Sequence, residues 1–221
     1  MRNHIERCDT GVLTNMRTIP LIYSVIEERK LYAGKPALCS GKISVSDLVP
    51  AVGLDALKSK KERGKVFVAD AVSLSKRTFN PSFMEYCKTP GNELWVIESL
   101  NRADDVFDAF LGNADKVVFP CGDVRSSSEF GKILEISDNC IPLLMTGDAR
   151  RKCADLEKEV SDLLSEGFVN IMVADLDGSV SDDKWDSLMD LCGGLISYSP
   201  RRQIGDNARI LAEDVFPLNV Q

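Results

Sequence analysis

Seven short apolar runs, separated by stretches of helical spacing, restrict the possible folds of this chain more than any other feature. They are TIPLIYSV (18–25), KVFVADAV (65–72), LWVIES (94–99), KVVFPCG (116–122), IPLLMTG (141–147), VNIMVAD (169–175) and LISYS (195–199). Most are apolar throughout instead of alternating, which marks strands buried on both faces, as in parallel sheets covered by helices. Between them, Ala103, Val106, Phe107, Phe110 and Leu111 fall at helical spacing, with Gly112 as a stop. Cys153, Leu156, Val160, Leu163 and Leu164 repeat the pattern before Gly167, and Trp185, Leu188, Met189 and Cys192 before Gly193-Gly194. Regular β-α alternation builds either an open doubly wound sheet or a closed (β/α)8 barrel.

No G-x-G-x-x-G turn follows the first strand, and seven strands exceed what a minimal open sheet needs. The polar segments SLSK, GDV, GDAR and DLDG all sit at C-terminal strand ends. The expected fold class is therefore α/β, a TIM-barrel-like (β/α)8 single domain over residues 1–221. The eighth strand is the weak point: ARILAEDVFPLNV begins as a helix and offers only VFPLNV as a strand. Closure at the C-terminus is expected to be irregular or incomplete, with any open edge covered by the tail or by a second copy in a homo-oligomer.

Charge and residue counts exclude several function classes. A formal net charge of −7 leaves no general attraction for a nucleic-acid backbone or an anionic membrane. No signal-peptide core is present and no stretch approaches the ~20 apolar residues of a membrane helix, so a cytoplasmic location is expected. The seven cysteines are odd in number and form no C-x-x-C pair, as suits reduced thiols. The one histidine, His4, lies in the polar N-terminal lead, so neither a His-based metal site nor a Ser-His-Asp triad is expected within the fold. No metal and no cofactor is expected. Proton transfer would fall to carboxylates, thiols, Tyr or Lys.

Functional residues of such folds lie at the C-terminal ends of the strands. Asp175 ends an apolar run and Asp177 follows two residues later, so an extended backbone would project both to one side, toward the mouth. Paired carboxylates can divide acid and base roles. Turn and cap chemistry is the competing explanation, with Asp182 or Asp183 capping the next helix. Asp70 and Asp148, after the second and fifth strands, would line the same mouth. Arg201 and Arg202 could clamp an anion there. Cys121 is the best-placed thiol, but no activating base or cation is visible beside it. The basic run KSKKERGK (58–65) reads as an exposed helix end.

Several of these segments together resemble the HisA/HisF family, the phosphate-binding barrels of histidine biosynthesis, and especially its divergent archaeal HisA-like relatives. TIPLIYSV is similar to the family's first strand, VFVADAV to its second, ESLNRADDVFDAFLGNADKVVF to its third-strand end through its fourth strand, and VADLDGSVSDDKWDSL to its sixth-strand Asp-Gly loop. The resemblance spans roughly residues 18–200 and implies an aldose-to-ketose rearrangement run by two aspartates. Asp177 matches the second of these. Tyr23 stands where the first would be, and a phenol with a reference pKa near ~10 is a poor base.

The family's phosphate-gripping glycine turns read Ser99-Leu100-Asn101 and Ser199-Pro200-Arg201 here. The histidine-pathway reaction itself is therefore not expected. Two hypotheses follow. One is an isomerase or lyase acting on a small anionic or phosphorylated metabolite, with Asp177, Asp175 and Asp148 catalytic, and Asp70, Tyr23, Asn101, Arg201 and Arg202 binding substrate. The other is a catalytically degenerate barrel acting as a ligand-binding or assembly subunit.

Overall fold

The computed structural model describes residues 17–39, 42–50, 65–87, 93–147, 155–201, 204 and 210–214. Its strands are β1 (Arg17–Glu27), β2 (Lys30–Cys39), β3 (Lys42–Pro50), β4 (Lys65–Asp70), β5 (Glu93–Ile97), β6 (Lys116–Pro120), β7 (Cys140–Thr146), β8 (Ile171–Asp175), β9 (Leu195–Tyr198) and β10 (Ile210–Asp214). The described helices are α1 (Ala71–Lys76), α2 (Phe83–Cys87), α3 (Ala103–Leu111), α4 (Ser127–Ile136), α5 (Leu156–Glu166) and α6 (Asp182–Leu191), with a 3-10 turn at Cys121–Asp123.

All ten strands belong to one sheet of order β10-β9-β8-β7-β6-β5-β4-β1-β2-β3. The pairings from β4 through β10 are parallel, and so are those of β1 with β4 and with β10. Strands β2 and β3 are antiparallel. The sheet thus curls until β10 meets β1. Leu21 is opposite both Phe67 of β4 and Asp214 of β10, so β10 occupies the far edge of β1. From Tyr23 onward that same edge passes to β2.

The alternating (β/α)8 barrel expected from the sequence is overturned by these pairings. A single mixed sheet of ten strands dominates, set against six α-helices among the described residues. An antiparallel hairpin, not a helix, follows β1. The physical reason lies in residues 30–50, where polar and apolar side chains intermix around Gly34 and Pro36 and no helical stripe forms. At the hairpin tip Glu28 and Arg29 both take positive φ, 47° and 62°, the twist a two-residue turn needs. The segment ARILAED, expected to be helical, instead supplies β10, which gains parallel partners on both edges. VFPLNV, Asp148, Arg202, Cys153, His4 and residues 58–64 lie outside the described residues.

Two cores alternate along each strand. On β4, Phe67 and Ala69 face an inner cluster, while Val66 and Val68 face the helices. On β8, Met172 and Ala174 are inner, and Ile171 and Val173 outer. Burial on both faces explains the continuous apolar runs, each large side chain contributing about 1.5–3 kcal/mol.

Helix ends follow local chemistry. Asp155 caps α5, which stops at Gly167 with φ 113°. Ser181, not Asp182 or Asp183, caps α6, and those two carboxylates occupy its first turn, where the helix dipole favours them. On α3 the buried residues are Ala103, Val106 and Ala109, whereas Phe107 and Leu111 of the expected stripe are exposed.

Candidate functional site

Two of the nominated carboxylates converge on one hydroxyl. Asp175 ends β8 and is paired in register with Thr146, the last residue of β7. Thr146 Oγ1 lies 2.8 Å from Asp175 Oδ1 and 2.6 Å from Asp177 Oδ1. With one proton, it donates fully to only one of them at a time. The Ser179 amide donates to both carboxylates, at 2.9 and 3.2 Å, and the Val180 amide reaches Asp175 Oδ2 at 3.4 Å. Gly178, with φ 76°, turns the loop back for these bonds.

Partial burial pushes the Asp177 carboxyl up. Hydrogen bonds from Thr146 and from the Ser179 hydroxyl and amide outweigh it, and hold Asp177 below the ordinary value. Exposed Asp177 is therefore ionised at neutral pH, a counter-charge and not a proton donor. Asp175 is fully buried. The alternation along β8 places it with Ile171 and Val173, on the helix-facing side and not among the inner cluster.

Asp70 belongs to a second network. It ends β4 and caps α1, its Oδ1 accepting from the amides of Val72 at 2.9 Å and Ser73 at 3.1 Å. Its Oδ2 accepts from the Asn80 side chain at 2.7 Å. Burial raises its pKa against the lowering by these bonds. The Asn80 amide also donates to Glu98 Oε2 at 3.1 Å.

Glu98, just past β5, is completely buried, and its Oε1 has no hydrogen-bond partner among the described residues. Burial, reinforced by Asp70 and Asp105, pushes Glu98 well above its ordinary value despite the Asn80 bond. Beside it, Ser99 Oγ donates to Asp123 Oδ2 at 2.5 Å, and Arg77 Nε stands 3.9 Å from Asp123 Oδ1. Asn101 donates from its side chain to the Asp123 carbonyl at 3.1 Å, so it cross-links two strand-end loops.

Tyr23 and Arg201 share a third location, a cavity of about 380 Å³. Its lining also includes Lys35, Pro36, Ala37 and Ile43 of the hairpin, together with Leu176 and Pro200 of the segments after β8 and β9. Tyr23 is 4% exposed, its ring centroid 6.1 Å from that of Tyr198.

The hairpin reaches this position because of one irregularity. Register shifts between Ala33 and Lys35, where Asp47 of β3 takes a φ of 54°. Such a bulge bends the ladder and re-aims the neighbouring side chains. Gly34 makes the approach possible, since a Cβ there would lie 2.9 Å from both the Ser46 carbonyl oxygen and Val45 Cβ. Arg201 in turn runs past Gly178, where a Cβ would be 3.6 Å from its own, so its stem lies against the Asp177 loop.

Partial burial, with Glu159 and Asp123 nearby, raises the Cys121 thiol above its ordinary value, the opposite of what an activated nucleophile needs. Among the described residues no three His, Cys, Asp or Glu side chains group as a metal site would require. No described helix is long and apolar enough to cross a membrane. Sequence reasoning missed Lys35, Thr146 and Glu98. The last two carried a signal, since each is a polar residue at the end of an apolar run; Lys35 carried none. The chain matches no protein-family model, and no curated protein matches it.

Proposed function

We propose that the protein binds a small anionic or phosphorylated metabolite in the cavity beneath the β2–β3 hairpin, with Lys35 and Arg201 as counter-charges and Tyr23 at its base. One observation carries this reading: Tyr23 and Arg201, far apart in sequence, line a single concavity together with a second cation. In a chain of net charge −7, two cations at one concave site favour an anion over the surrounding surface. The volume lies at the lower end of the range for small-molecule sites, about 300–1,000 Å³.

A second reading, an isomerase or lyase using Asp175 and Asp177, is favoured by the shared Thr146 hydroxyl. It ranks behind binding, because a carboxylate held below its ordinary pKa is a poor general base at neutral pH. Kinship with the HisA/HisF family remains a proposal resting on the Asp-x-Asp-Gly loop, and with Tyr23 in place of an aspartate it does not extend to the histidine-pathway rearrangement.

Calorimetric titration with inorganic phosphate tests the binding reading. Lys35→Ala and Arg201→Ala are each expected to weaken binding by about tenfold, as loss of a charge-assisted hydrogen bond implies. Affinity in both variants equal to that of the unmodified protein, or no binding by the unmodified protein, would refute it. Turnover of a sugar phosphate by the unmodified protein, abolished by Asp177→Asn, would put the catalytic reading first.

A further inference from the structure

The two halves of the hairpin are held by different means. Residues 30–34 of β2 pair with residues 23–27 of β1, whereas residues 35–39 pair with residues 42–46 of β3 alone. β3 ends the sheet, with β2 as its one strand partner among the described residues. Past the bulge, side chains seat the distal strands. Ile43, 2% exposed, packs with Tyr23, Leu74 and Leu176 in the inner cluster, and partly buried Val45 lies against that cluster.

Strands β4 through β9 are each paired on both edges and buried on both faces. Local opening begins where buried apolar contacts are fewest. Among the described side chains of the distal strands, Ile43 alone is buried, and Lys35, Lys42 and Ser46 are exposed. Lys35, Pro36, Ala37 and Ile43 border the cavity of about 380 Å³, so packing beneath these strands is incomplete. The bulge supplies a pivot, where register shifts between Ala33 and Lys35 and Asp47 takes its φ of 54°. Lys35 is the first residue past that pivot and travels with the distal strands. Arg201 follows β9 and does not.

We infer that the distal hairpin is a flap over the cavity, which opens at the bulge to admit an anion and is held shut by it. The inference rests on the anion reading of the cavity. Lys35 and Arg201 serve one anion together only while the flap is seated, so the closed state binds more tightly and binding shifts the population toward closure.

Residue-resolved amide hydrogen exchange on the full chain, with inorganic phosphate as the probe, tests this. The amides bonded between β2 and β3 past the bulge are expected to exchange at least about a hundredfold faster than those of β8, and saturating phosphate should slow them while leaving β8 unchanged. Ile43→Ala should speed exchange in the flap by about tenfold or more, again without effect on β8. In Lys35→Ala, phosphate raised to saturation should no longer slow the flap, which separates bridging from simple occupancy. Should Ile43→Ala fail to fold, the phosphate effect on the unmodified protein still decides. Flap amides as protected as those of β8 would overturn the inference. Phosphate that binds by calorimetry yet leaves flap exchange unchanged would overturn it while the anion site stands. Absence of phosphate binding would overturn the anion site and this inference with it.

Discussion

Replacing Thr146 by valine removes one hydroxyl and almost no volume, so its effect isolates the bridge between Asp175 and Asp177. Thr146 is 2% exposed, and its partner Asp175 is fully buried. A hydrogen bond to a charged group contributes about 1.5–3 kcal/mol where water is excluded. Asp175 keeps the Ser179 and Val180 amides, so the variant does not strand a bare carboxylate. The bond to exposed Asp177 is screened by solvent and adds well under 1 kcal/mol.

The expected loss is therefore about 2 kcal/mol at neutral pH. Part of it depends on pH. Because Asp177 has a lowered pKa in the folded state, its contribution is complete above the unfolded carboxylate value near ~3.9 and is lost as pH falls through the folded value. Urea unfolding at pH 7 and pH 3 measures both parts. A difference below about 0.5 kcal/mol at pH 7, or one that does not shrink by pH 3, would refute the bridge as a stabilising element.

Three further perturbations test other parts of the structure. Gly194→Ala drives a Cβ into the Val169 carbonyl oxygen and to 2.8 Å from Asn170 Oδ1, so thermal unfolding should reveal a loss of about 3 kcal/mol or more; a wild-type midpoint would contradict the close packing of β8 and β9. Glu98 has a raised folded pKa, so its stabilisation is complete below the unfolded carboxyl value and declines as pH rises through the folded one. Glu98→Gln cannot titrate, and its stability relative to the unmodified protein should improve from pH 4 to pH 7; parallel curves would argue against a buried neutral acid. Tyr23→Asp strips a ring that is 4% exposed from the inner cluster and from its packing on Tyr198, and urea unfolding should show a loss of about 3 kcal/mol or more, with no isomerase activity gained.

The positions of strands β4 through β9 could be read from residues alone, because these strands are buried on both faces and their apolar runs are unbroken. IPLLMTG became Cys140–Thr146, and LISYS became Leu195–Tyr198. The hairpin escaped notice for the opposite physical reason. Lys35 and Asp47 are exposed on it, and its register depends on a bulge that only tertiary contact reveals. Ile210–Asp214 was hidden by Ala, Leu and Glu, strong helix formers whose preference is overridden by pairing with both β9 and β1. At the candidate site, Asp175 and Asp177 could be paired from spacing, but their common partner Thr146 could not. The cavity was beyond reach because Lys35, Pro36, Ala37 and Ile43 of its lining belong to the hairpin.

The shared edge of β1 also governs the order in which the chain can mature. Its first half waits for β10, the last described strand, whereas its second half is satisfied early by β2, which lies just across a two-residue turn. During synthesis the hairpin can zip as soon as it emerges, but the seam between Arg17 and Leu21 stays open until Ile210–Asp214 has left the ribosome. For most of translation the nascent protein therefore displays a bare strand edge, a template for stray pairing that chaperones would have to shield. Truncations that remove β10 should reproduce that vulnerable intermediate as a persistent species.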